Sequence, residues 1–87
     1  MADVCVAWIR GRGISVDPVT GQGRDGFVHF ELSYLCSDTT FASGTDLDVD
    51  VVNNSESQIQ GLLRQAVADH INAAQGYNMA AADIRLV

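Results

Sequence analysis

Hydrophobic and polar residues alternate along two segments of the chain, residues 27–36 (FVHFELSYLC) and residues 45–52 (TDLDVDVV). This period of two is typical of a β-strand that buries one face and exposes the other. In the second segment Leu47, Val49 and Val51 therefore face inward, and the aspartates between them face outward. We expect both segments to be half-buried strands of one sheet.

The segment at residues 3–10 (DVCVAWIR) is rich in β-branched and aromatic residues and predicts a first strand. Its apolar side chains fall on both faces, with Trp8 on one and Ile9 on the other. A strand of this kind is either central in a covered sheet or lies at an interface. Residues 84–87 form a short apolar segment that predicts a final strand.

An amphipathic helix is predicted between these strands. Apolar residues recur at i, i+3, i+4 and i+7 spacing from Ile59 to Ala74, which puts them on one stripe of a helix. Ser55 and Gln58 have the spacing of a capping box at its start. Gly76 stands where a left-handed residue ends a helix.

The order β-arm-β-β-α-β predicts an α+β fold, with a three- to four-stranded, mainly antiparallel sheet and one amphipathic helix packed on one face. The last three elements allow a right-handed crossover that leaves residues 45–52 and 83–87 parallel. With 87 residues, the chain is expected to be a single domain, 1–87. The predicted core consists of Val28, Phe30, Leu32, Leu47, Val49, Val51, Leu62, Leu63, Val67 and Ile71.

Residues 11–26 hold five of the eight glycines and the only proline, and they predict a glycine-rich loop or hairpin arm. Residues 21–26 match G-x-G-x-x-G by letter. The phosphate-binding form of that motif needs a strand before it and a helix after it. Because a strand follows here, we interpret these glycines as turn residues and not as a phosphate-binding loop.

The charge is strongly acidic, with 11 acids, 5 arginines, no lysine and a formal net charge of −6. An acidic chain repels phosphate backbones, so we expect no nucleic-acid partner. No apolar run approaches the roughly 18 residues of a membrane span, so we expect no membrane partner. The start, MADVCVAWIRG, lacks a basic region and a long apolar run, and predicts no signal peptide.

Cys5 and Cys36 lie in apolar, strand-like segments and do not have the spacing of a zinc site. Without a signal peptide, two buried free thiols are the favoured interpretation. The sequence leaves a disulfide between them as the alternative.

Candidate catalytic and metal-binding groups are few. A calcium loop that starts at Asp46 would need a glycine at residue 51 and a glutamate at the right later distance, and the sequence has neither at those positions. His70 lies in the apolar stripe of the helix and is interpreted as a hydrogen-bonded core or boundary residue. His29 is interpreted as a surface residue that can pair weakly with Glu31. We therefore expect no enzyme, no cofactor, no metal and no small-molecule substrate.

Interface candidates come from three features. The arm carries arginines, the second alternating strand carries a stripe of aspartates, and the outer face of the helix is small and neutral where solvated helices usually carry Lys and Glu. We expect arm arginines to pair with the aspartates of a neighbouring subunit. The candidates are Arg10, Arg12, Arg24, Asp46, Asp48, Asp50, Gly61 and Ala68.

Three features occur together between Thr45 and Val87: the alternating strand, the capped alanine-rich helix SQIQGLLRQAVADHINAAQGY, and the turn and closing strand MAAADIRLV. This half of the chain resembles short structural proteins of tailed bacteriophages. The resemblance implies a virion component of the capsid decoration, head–tail junction or tail. It also implies assembly in the bacterial cytoplasm and partners that are further copies or larger virion proteins. The alternative is a small acidic binding or inhibitor module that acts on a host protein.

Overall fold

The computed structural model describes residues 4–40 and 42–87, which leaves Asp3 of the predicted first strand outside the described residues. Within this part of the chain the elements, in order, are β1 (Cys5–Val16), β2 (Gly23–Cys36), β3 (Ser43–Asp50), the helix α1 (Glu56–Gln75), a short 3-10 turn (Ala81–Asp83) and β4 (Ile84–Leu86).

The four strands found in the described residues form a mixed sheet in the order β3-β2-β1-β4. β1, β2 and β3 are successive antiparallel neighbours, and β4 adds to β1 in parallel at Cys5–Ala7. β3 and β4 therefore run in the same direction, as predicted, but lie at opposite edges of the sheet. The predicted α+β fold, with a helix packed on a small and mainly antiparallel sheet, is confirmed.

Local side-chain chemistry sets both ends of α1. The Gln58 N–H donates to Ser55 Oγ (3.2 Å), and the Ser55 N–H donates to Gln58 Oε1 (2.8 Å), so the predicted capping box is confirmed. At the other end Gly76 has φ 69°, a left-handed conformation that only glycine adopts without a Cβ penalty. Its N–H donates to the Asn72 carbonyl (2.9 Å).

The core lies between α1 and the sheet face that α1 covers. Six predicted core residues are buried, namely Phe30, Leu32, Val49, Leu63, Val67 and Ile71. Three are only partly buried, namely Val28, Leu47 and Val51. The prediction was wrong for Leu62, which is 42% exposed, and for Ala68, which is fully buried instead of lying on the outer helix face.

The segment after α1 packs against the same part of the helix. Asn72 brackets the backbone of Met79: its Oδ1 accepts from the Met79 N–H (2.8 Å) and its Nδ2 donates to the Met79 carbonyl (2.9 Å). Residues 77–83 are thereby held against the side of the helix that carries Asn72. Ala68 lies one turn earlier on that side and belongs to the same buried cluster as Met79.

Cys5 and Cys36 form a disulfide, so the interpretation as free thiols was wrong. The two residues are direct partners in the β1–β2 register, with Cα atoms 4.0 Å apart. The adjacent Ser37 N–H donates to the Val4 carbonyl, so the cysteines occupy the closely spaced, non-hydrogen-bonded kind of antiparallel pair. Met79 Sδ lies 3.6 Å from Cys5 Sγ and completes a buried sulfur cluster.

The glycine-rich segment is a hairpin arm and not a long loop. β1 and β2 continue through it as paired strands, and only residues 17–22 form the turn. Asp17 Oδ1 accepts from the Val19 N–H (2.8 Å), and Gly21 has φ 73°. Residues 21–26 thus serve turn geometry and the start of β2, as the sequence predicts.

Replacing Leu63 with alanine should destabilise the fold by about 2–5 kcal/mol, because it removes a buried side chain from the contact between α1 and the sheet. Leu62→Ala is the matched control, and its cost should be about 1 kcal/mol or less because Leu62 is exposed. Urea unfolding measures both values. Equal losses for the two variants would contradict the helix orientation.

Reducing the disulfide should lower the free energy of unfolding by about 3–4 kcal/mol, because the bond closes a long loop in the unfolded chain. The measurement is the urea midpoint with and without dithiothreitol. The double variant Cys5→Ala/Cys36→Ala is the control, and reductant should not change its midpoint. An unchanged wild-type midpoint would show that the disulfide does not form.

Candidate interaction surface

α1 covers only one face of the sheet, and the described elements pack nothing on the other. We call this second face the open face. Its side chains alternate with those of the core along each strand. It has an apolar end and a charged end. The apolar end consists of Val4, Val6, Trp8 and Leu35. The charged end consists of Arg10, His29, Glu31, Asp46 and Asp48.

The apolar end of the open face lies where β1 and β2 leave the disulfide. Val6 is the register partner of Leu35, and Trp8 follows two residues later on the same face. Val4 is 49% exposed and Leu35 is 38% exposed. Together they line a depression of about 300 Å³. None of the described residues covers this apolar surface, which is built on paired strands.

His29 organises the charged end of the open face. Its ring lies between two carboxylates of β3, with Nδ1 2.8 Å from Asp48 Oδ1 and Nε2 3.3 Å from Asp46 Oδ2. The β2–β3 register causes this, since His29 is the direct partner of Asp48. The hydrogen bond with Asp48 raises the pKa of His29, and the same bond lowers the pKa of Asp48.

The partners of His29 differ from those expected. Glu31 lies 3.6 Å from Arg10, and it contributes only a minor charge effect to the raised pKa of His29. The predicted pair of His29 with Glu31 is therefore replaced by the two aspartates of β3. Sequence spacing along one strand did not reveal this, because the nearest carboxylates belong to the neighbouring strand.

The aspartate stripe is divided in the folded chain. Asp46 and Asp48 face His29, whereas Asp50 stabilises the turn before α1. Asp50 Oδ1 accepts from the Val52 and Asn53 N–H groups, both at 3.0 Å. The Asn53 side-chain amide also donates to Asp50, which is the main reason that the pKa of Asp50 is lowered.

The three candidate arginines lie in different surroundings. Arg10 contacts Glu31 on the open face. The Arg24 guanidinium lies 3.9 Å from the ring centroid of Phe27, in a cation–π contact. Arg12 lies on the helix side of β1, where it lines a groove of about 490 Å³ next to α1, and it pairs with no carboxylate of the described residues.

The helix candidates do not form one outer surface. Ala68 is part of the core, and Asn72 is engaged by Met79. Gly61 is half-buried, and a Cβ added there would meet nothing within 4 Å, so this position stays open to a neighbour. His70 bonds to the Tyr34 hydroxyl (2.7 Å), as its predicted role as a hydrogen-bonded boundary residue requires.

Comparisons with protein-family models, curated proteins and solved structures found no match to this chain. Within residues 4–40 and 42–87, no three His, Cys, Asp or Glu side chains are arranged to hold a metal ion. The part of the chain that the structure describes also has no helix of the length and hydropathy needed to cross a membrane.

The His29 cluster should make stability depend on pH. Because the pKa of His29 is raised in the folded state, His29 stabilises the fold below about pH 6.5. This stabilisation is lost as pH rises through the pKa of His29 in the folded state. Because the pKa of Asp48 is lowered, its contribution is present above about pH 4 and is lost as pH falls. His29→Gln should therefore destabilise the protein more at pH 5.5 than at pH 8.5.

Urea midpoints at the two pH values measure this difference. Asp48→Asn should remove most of it, because it removes the main partner of His29. Asp69→Asn is the matched control, since Asp69 bonds to Gln65 on α1 and does not contact His29. A His29→Gln effect of equal size at both pH values would contradict the role of the cluster.

Proposed function

We propose that this protein is a non-enzymatic structural subunit of a tailed-bacteriophage virion, acting through protein–protein contacts in the capsid decoration, head–tail junction or tail. The observation that carries the proposal is the apolar end of the open face. Two paired strands form this surface, and no residue that the structure describes packs over it.

The composition of this surface supports a protein partner. The solvent-exposed face of an antiparallel sheet usually carries polar residues. This face instead carries the apolar residues Val4, Val6, Trp8 and Leu35. Aromatic residues are enriched at the centres of protein interfaces, and Trp is among the residues that most often dominate binding energy. Trp8 lies beside Val6 and the depression and is only partly buried.

The assignment to a phage particle is supported by the resemblance of residues 45–87 to short tailed-phage structural proteins. The elements on which it rests have counterparts in the fold: β3 in the alternating segment, α1 with its capping box and left-handed Gly76, and the closing strand β4.

A free acidic inhibitor has less support. Mimicry of a phosphate backbone requires unpaired carboxylates in a row, but Asp46 and Asp48 face His29 and Asp50 bonds within its own turn. We therefore do not propose the inhibitor function. Recovery of a complex with a host protein is one outcome of the experiment below and would support it.

Mass spectrometry of purified particles tests the proposal, with Trp8→Glu as the decisive variant. A buried charge at the apolar end should lower incorporation at least about tenfold, a loss of roughly 1.4 kcal/mol of binding. Val19→Glu is the matched control, because Val19 is 90% exposed at the hairpin tip and should be incorporated normally. Circular dichroism confirms that both variants fold.

Absence of the wild-type chain from particles would contradict the proposal. Its recovery in a stable complex with a host protein would then favour the inhibitor function. Normal incorporation of Trp8→Glu would show that the open face is not the contact surface.

A further inference from the structure

We propose that two copies of this chain form a symmetric dimer through their open faces, with the two-fold axis parallel to β1 and β2 and midway between them. The inference rests on the proposed function and deepens it by naming a second copy as the partner of the apolar end. β1 of each copy lies over β2 of the other, as in two sheets that pack face to face with aligned strands.

The β1–β2 register determines which side chains meet in this dimer. Rotation about an axis parallel to the strands exchanges β1 and β2 and keeps each residue at its height along them. A residue of β1 therefore meets, in the second copy, the residue of β2 that is its own register partner. Because the interface is isologous, every contact of this kind occurs twice.

The apolar ends of the two copies cover each other in this arrangement. Val6 is the register partner of Leu35, so Val6 of each copy packs on Leu35 of the other. Leu35 is 38% exposed and Val4, on the same face, is 49% exposed. The depression of about 300 Å³ that they line is filled in both copies, and removing this apolar surface from water favours association.

Trp8 meets a low part of the opposite sheet. Its register partner is Ser33, whose partner on β3 is Gly44, so two neighbouring positions carry a small side chain or none. The Arg10 guanidinium reaches over this area, with Nη1 3.8 Å from the place that a Cβ of Gly44 would take. The indole of the second copy can therefore lie on the guanidinium, and Trp and Arg stack favourably in this way.

Arg10 and Glu31 make the two surfaces complementary in charge. Arg10 immediately precedes Gly11, the register partner of Glu31, so Arg10 of each copy lies beside Glu31 of the other. Within one copy the two side chains are 3.6 Å apart, which is longer than a hydrogen bond, and they are 58% and 50% exposed. Each can therefore bond a second partner, and the dimer places two arginines and two glutamates in alternation.

The charge pattern distinguishes this dimer from the other two-fold arrangement. An axis across the strands places β1 over β1 and inverts the height of each residue. Centred on Val6, such an axis leaves Arg10 and Glu31 outside the contact. Centred on Trp8, it places Arg10 on Val6, and burying a charge against an apolar side chain is costly. The axis parallel to the strands pairs apolar with apolar and basic with acidic side chains at the same time.

This self-complementarity favours a second copy over an unrelated protein. A surface that binds a different partner has to complement that partner and not itself. The open face instead carries an apolar pair, a large residue beside a small one and a basic residue beside an acidic one, all in register. A domain of 87 residues also gains stability by oligomerising, because its own core is small.

Trp8 provides a direct test, because it is the only tryptophan of the chain. Sedimentation equilibrium should show a shift from the 9.3 kDa monomer to twice that mass between about 10 μM and 1 mM, the range in which small interfaces dissociate. Tryptophan emission should move to shorter wavelength over the same range, since the indole leaves water. A chain that stays monomeric throughout, or a dimer with the emission of the monomer, overturns the inference.

Charge exchange tests the orientation of the two copies. Arg10→Glu and Glu31→Arg should each weaken the dimer by about tenfold or more, because like charges then face each other twice. An equimolar mixture should restore association, since one variant supplies two acids and the other two bases at matching heights. Arg12→Glu is the matched control: it makes the same charge change in the same strand but on the helix side, and it should dimerise like the wild type.

Circular dichroism confirms that the three variants fold. Normal dimerisation of Arg10→Glu or Glu31→Arg alone, a mixture that remains monomeric, or loss of the dimer in Arg12→Glu each contradicts the proposed axis.

The two proposals fail in different ways. A wild-type chain that is monomeric throughout the concentration range, yet present in purified particles, overturns the dimer and retains the structural function. A chain that dimerises through its open face but is absent from particles retains the dimer and overturns the virion assignment.

Discussion

The organisation of this protein depends on one constraint: α1 is long enough to cover one face of the sheet, and only part of it. The core forms where Leu63, Val67 and Ile71 meet the covered face. Among the described residues, the helix covers neither the open face nor the distal part of the arm. A single helix on one face therefore determines both where the core forms and which sheet surfaces the described residues leave exposed.

Features that depend on neighbours along the chain were predictable from the sequence. Ser55 and Gln58 form their capping box within one helical turn, and Gly76 ends the helix through its own backbone freedom. The faces of β2 and β3 follow from a period of two, so most of the predicted core is buried. These signals need no knowledge of the tertiary structure, because each is read over a few residues.

Features that depend on register or on distant segments were not predictable. The disulfide requires Cys5 and Cys36 to be direct partners across a hairpin, which spacing does not show. Ala68 belongs to the same buried cluster as Met79, which Asn72 holds by two hydrogen bonds that have no sequence signature. The three aspartates of β3 are equivalent in the sequence pattern but not in the structure. Strand pairing places Asp46 and Asp48 beside His29, whereas Asp50 accepts hydrogen bonds from the turn that follows β3.

The pairing of β1 with β4 has a consequence for how the chain folds. Cys5 lies beside Ile84, so an early strand is completed by a late one. During translation β1, β2 and β3 emerge before the rest of the chain. Their apolar face stays uncovered until α1 has been synthesised, and β1 stays without its partner β4 until residues 84–86 have been synthesised. Contacts between such distant segments are slow to form, and unpaired strands are exposed to aggregation in the meantime. The rate at which a ribosome releases residues 84–86 thus sets the earliest moment at which this sheet can close.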